Sequence, residues 1–94
     1  MARDTPEKME AMRSWLSAVA EELNIAPEVM AEAEAPLLQL IGKIAYGPSR
    51  PGAPLTAFLI GMAVGQGEGE STALIAKIKA LVDEYMKDRA PHQE

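Results

Sequence analysis

The sequence contains no cysteine, a single histidine and only four aromatic residues. Without cysteine the chain has no disulfide, no thiolate metal ligand and no cysteine nucleophile. The single histidine, His92, lies near the carboxyl end, in a predicted tail. The serines therefore have no histidine partner that could act as a base. A catalyst needs a nucleophile, a base or a metal within mutual reach. The sequence therefore predicts a protein that is not an enzyme and that carries neither metal nor cofactor.

A basic excess is also missing, since 14 acidic residues oppose nine lysines and arginines and give a net charge of −5. This balance argues against nucleic acid as a partner, because phosphate-backbone binders present a basic face. The acids themselves form no convincing site. Glu32 and Glu34 are two residues apart and cannot share a helical face, and Glu68 and Glu70 lie in a glycine-rich stretch typical of a solvated loop.

Long apolar runs are absent as well. The longest uncharged stretch around the apolar segment, residues 51–67, has 17 residues and includes two prolines and four glycines. A membrane-spanning helix needs about 20 consecutive, mostly apolar residues. The amino-terminal residues MARDTPEKMEAM are charged and lack the apolar core of a signal peptide. We therefore expect a cytoplasmic protein without a membrane span.

Hydrophobic residues make up 48% of the chain and recur at helical spacing, which predicts an all-α fold. Thr5 and Pro6 begin the first helix, which ends near Asn24. A short helix follows over 27–32. Pro36 begins a third, ended by Gly47 in a left-handed conformation. Pro54 begins a fourth at its first position, and Ser71 or Thr72 caps the last. These four principal helices plus one short helix predict a compact bundle forming a single domain, 1–94, with frayed tails at 1–5 and 90–94.

The segment from Ala45 to Gly67 carries the most distinctive pattern. Leu55, Phe58, Leu59 and Met62 form the apolar face of its helix, while Ala57, Gly61 and Gly65 recur every four residues on another face. Small residues in such a row let a neighbouring backbone approach closely. We therefore expect Gly61 and Gly65 to lie at a close helix crossing. Gly47, Pro54, Phe58, Gly61 and Gly65 are the residues predicted to be structural.

Arg50 is the only charged residue between Lys43 and Glu68. It precedes a helix N-terminus, where free N–H groups and the helix dipole favour an anion, and Thr56 adds a hydroxyl in the first turn. An alternative is that Arg50 pairs with an acid or caps the carbonyls that end the preceding helix. The sequence GQGEG at 65–69 is not a dinucleotide fingerprint, because no strand precedes it and its spacing differs.

The same segment resembles the signature of a small actinobacterial domain family of unknown function. WLSAVAEELNI, from Trp15, is similar to that family's opening helix, and Tyr46 stands where the family has a histidine. The resemblance covers about residues 12–67. Members of that family occur alone or as a carboxy-terminal appendage of molybdenum cofactor guanylyltransferase, so the resemblance implies a role near that pathway. The positions that match the signature are Gly47, Arg50, Pro51, Ala53, Pro54, Leu55, Thr56, Phe58, Leu59, Gly61 and Gly65.

Together these features predict a non-catalytic accessory domain that binds a protein partner, with a molybdenum cofactor enzyme as the implied candidate. The predicted binding surface surrounds Tyr46, Arg50, Pro51 and Thr56. The alternative is a small anion- or nucleotide-binding protein that uses the Arg50 loop and the helix N-terminus after it. The sequence leaves the oligomeric state open between a monomer and a weak dimer, for which the methionine-bearing first helix would supply a seam.

Overall fold

Four helices account for the regular structure in the computed structural model, which describes residues 5–87 and 89. They are α1 (Pro6–Glu22), α2 (Pro27–Ala45), α3 (Gly52–Gly65) and α4 (Ser71–Tyr85). The described residues contain no strand, so the all-α prediction is confirmed. The chain divides into two units, Met1–Ala31 and Glu32–Glu94, and the boundary falls within α2.

Helix α1 begins and ends where its capping chemistry predicts. The Thr5 side chain accepts a hydrogen bond of 3.2 Å from the Lys8 N–H, and Pro6 follows at the first helical position. At the other end Asn24 adopts a left-handed φ of 59°. Its N–H donates to the Glu21 carbonyl and the Ile25 N–H donates to the Ala20 carbonyl, at 3.2 and 2.8 Å. These bonds form a Schellman motif, which satisfies carbonyls that the helix end would leave unpaired.

Helix α2 corrects two predictions. It runs unbroken from Pro27 to Ala45 with Pro36 inside it, so the separate short helix over 27–32 does not exist. Pro36 lacks the N–H that would reach the Glu32 carbonyl and its ring crowds that carbonyl, but the alanines, glutamates and leucines around it favour continued helix. Gly47 does not take a left-handed φ. It is buried, and an added Cβ would lie 2.9 Å from the Lys43 carbonyl oxygen, so glycine is required there for space.

Helices α3 and α4 begin at positions that differ slightly from the prediction. Helix α3 starts at Gly52, with Pro51 as its N-cap, so Pro54 lies within the first turn rather than at its start. Gly67 ends α3 with a left-handed φ of 82° in a second Schellman motif. The N-cap of α4 is Glu70, whose side chain makes no capping hydrogen bond, and not Ser71 or Thr72.

The core of the second unit is built from aliphatic side chains of α2, α3 and α4. Leu40 of α2 is fully buried and lies at the centre of this core. A salt bridge of 2.7 Å between Lys43 and Asp83 links α2 to α4 at the surface. The remaining buried residues of this core are Ala33, Ile44, Ala53, Ile60, Ile75 and Val82.

The first unit has a partly buried apolar stripe on α1, but no residue of α1 is fully buried. Met9, Met12, Leu16 and Val19 are half-buried and lie three or four residues apart, and Trp15 beside them is exposed. Residues 1–4, 88 and 90–94 lie outside the described residues, and the predicted tails fall largely on them, although Thr5 caps α1. Over the described residues, no helix combines the length and apolar character that crossing a bilayer requires.

Candidate functional site

A groove of about 530 Å³ opens within the second unit, between α3 and α4. We call it the α3–α4 groove. Most of its lining is apolar and comes from facing positions on the two helices, while Glu68 and Lys77 bring the charges. The residues that line it are Ile44, Pro48, Ser49, Gly52, Thr56, Leu59, Ile60, Ala63, Glu68, Leu74, Lys77, Ile78, Leu81, Val82 and Tyr85.

Helical periodicity builds both walls of the groove. On α3 the lining residues Thr56, Leu59 and Ala63 recur at intervals of three and four, so they share one face. On α4, Leu81 and Tyr85 continue a face of the same kind. The buried side chains at the bottom belong to the core, whereas Leu59 and Leu81 are 65% and 55% exposed. The upper walls are therefore large apolar side chains that the rest of the second unit leaves exposed.

The polar groups at the amino-terminal end of α3 are satisfied internally. The Thr56 hydroxyl donates a 2.8 Å hydrogen bond to the Gly52 carbonyl, and the Ser49 hydroxyl accepts a 3.1 Å bond from the Gly52 N–H. The two charged residues of the lining are Glu68 and Lys77, and neither forms an ion pair with another described residue. The groove therefore offers apolar surface with one acid and one base among its lining residues.

At the predicted surface around Arg50, the guanidinium contacts an aromatic ring and not an acidic side chain of the described residues. The Arg50 guanidinium lies 5.8 Å from the centre of the Tyr46 ring, and both side chains are exposed. Arg50 makes no ion pair within the described residues, so the predicted alternative of pairing with an acid is not observed there. A cation over an aromatic face is attracted by the ring's quadrupole, which orients the guanidinium.

The helix N-terminus beside Arg50 does not present the free amides that the anion hypothesis assumed. The Gly52 N–H donates to Ser49, and the Ala53 N–H donates to the Arg50 carbonyl at 3.2 Å. Pro54 has no N–H at all. An anion at this turn would rely on the Arg50 side chain and the helix dipole. The anion site itself stays a prediction.

Within the second unit, no helix crosses closely at Gly61 and Gly65, where the sequence predicted such a crossing. Both glycines are exposed, and an added Cβ at either would meet no atom within 4 Å. Leu55, Phe58 and Met62, expected to face the core, are exposed as well. Helix α3 is apolar on every side, so its sequence shows which residues share a face but not which face is buried.

Metal-ligating side chains do not converge anywhere in residues 5–87 and 89, where no three of histidine, cysteine, aspartate and glutamate come together. Glu68 and Glu70 accordingly form no such group with a third ligand. His92 lies outside the described residues.

The fold and the groove define a small all-α domain with an apolar surface cleft, and a family model then identifies its class. A domain of unknown function, DUF6457, matches residues 7–91, and the chain belongs to this family. The match confirms the resemblance to a domain family without an assigned function, and it includes the Arg50 turn, α3 and α4. Neither a curated protein nor a solved structure matches the chain.

Proposed function

We propose that this protein is a cytoplasmic, non-catalytic accessory domain that binds a protein partner through the α3–α4 groove. The single observation that carries the proposal is the groove itself, whose walls expose Leu59, Leu81 and Tyr85 around a cleft of about 530 Å³. Concave, mostly apolar clefts with a few polar groups are where proteins bind ligands and partner segments. Exposed apolar surface of this kind also marks interaction sites.

The chemistry of the lining favours an amphipathic helix as the bound segment. Two facing helices leave a trough that receives apolar side chains spaced three and four residues apart on the partner. Glu68 and Lys77, without ion pairs in the described structure, are available to one basic and one acidic side chain of that segment. These charges fix the register, while the apolar contacts supply most of the affinity.

Molybdenum cofactor guanylyltransferase is the partner that we propose, on the strength of the resemblance at Gly47–Gly65 and at α1. A domain that occurs as an appendage of an enzyme has its partner tethered at high effective concentration. A free-standing copy would have to recognise the same enzyme through its own surface. The groove supplies such a surface.

Isothermal titration calorimetry with purified guanylyltransferase from the same host tests the proposal. Wild type is expected to bind, and Leu81→Glu is expected to bind at least about tenfold more weakly, because a charge replaces an apolar wall of the groove. Leu38→Glu is the matched control. Leu38 is an exposed leucine of the same unit that does not line the groove, so its substitution should leave the affinity unchanged.

Two results would overturn parts of the proposal separately. If wild type does not bind the guanylyltransferase, the assignment of the partner is wrong. If wild type binds and Leu81→Glu binds equally well, the groove is not the binding site. Circular dichroism of both variants checks that their helix content matches that of wild type.

A second candidate, a small phosphate-bearing anion at Arg50, is favoured by the exposed guanidinium that no described acid neutralises. Titration with GTP, with inorganic phosphate alongside, is expected to show binding that Arg50→Ala abolishes. The substitution should leave stability within about 1 kcal/mol of wild type, because an exposed cation–π contact contributes no more than that. A large loss of stability would instead make Arg50 a structural clamp between its loop and Tyr46.

A further inference from the structure

We draw no further inference here: the strongest candidate, the uncharged apolar side of α3 formed by Leu55, Phe58 and Met62, carries no proposal because nothing in the structure shows what covers it.

Discussion

At the scale of single residues, the surroundings of each glycine determine what a side chain there would do. Gly47 follows α2 in a buried position where a Cβ would come within 2.9 Å of a backbone oxygen, closer than real Cβ contacts. We expect Gly47→Ala to lower the free energy of unfolding by about 1–3 kcal/mol, because the backbone must shift to make room. Urea denaturation followed by circular dichroism measures the change.

Gly42, inside α2, is the matched control for Gly47. An added Cβ there would meet nothing within 4 Å. Gly42→Ala should therefore stabilise the protein by about 0.5–1 kcal/mol, because alanine loses less backbone entropy on entering a helix. Opposite signs for the two substitutions are the expected result. Equal destabilisation by both would show that the space around Gly47 is not what distinguishes them.

At the scale of helices, local chemistry was enough to predict both ends of α1 but not the interior of α2. Both ends of α1 were predictable, because Thr5, Pro6 and Asn24 act on the backbone within a few residues. The break at Pro36 was predicted wrongly. Proline costs a helix one hydrogen bond and some strain, but whether the helix continues depends on the packing that follows, here around the buried Leu40.

Pro36 therefore lowers the stability of a helix that forms in spite of it. Pro36→Ala should raise the melting temperature, because alanine restores an N–H that can reach the Glu32 carbonyl and removes the ring from the helix interior. The expected gain is up to about 3 kcal/mol, reduced by roughly 0.4–1 kcal/mol because the unfolded chain becomes more flexible. Differential scanning calorimetry measures it. A lower melting temperature would mean that the half-buried ring contributes packing that outweighs the lost hydrogen bond.

At the scale of the whole molecule, the sequence predicted the helical class, and it suggested an interaction role, but it missed the groove. Leu81 and Tyr85 belong to a stripe that reads as core, and only the packing of α4 against α3 shows that their side chains line an open cleft. Because α3 is apolar on all sides, the sequence likewise could not show which of its sides faces the core. Arg50, in contrast, could be singled out from the sequence, because it is the only charged residue between Lys43 and Glu68. That observation does not depend on how the helices pack.

The wall of the groove predicts a specific consequence when it is altered. A charge at Leu81 should weaken partner binding, and the variant is expected to fold because the side chain is exposed. The groove is the central claim, because the family has no assigned activity and the groove is the surface that we propose for partner binding.

Hydrogen–deuterium exchange of the protein, with and without purified molybdenum cofactor guanylyltransferase, tests that claim most directly. If the groove is the binding site, the enzyme should slow exchange along α3 and α4 and at the 48–52 turn, which contributes Pro48, Ser49 and Gly52 to the lining. It should leave α1 unchanged. Slower exchange confined to α1, or to the turn around Arg50 without α4, would contradict the account.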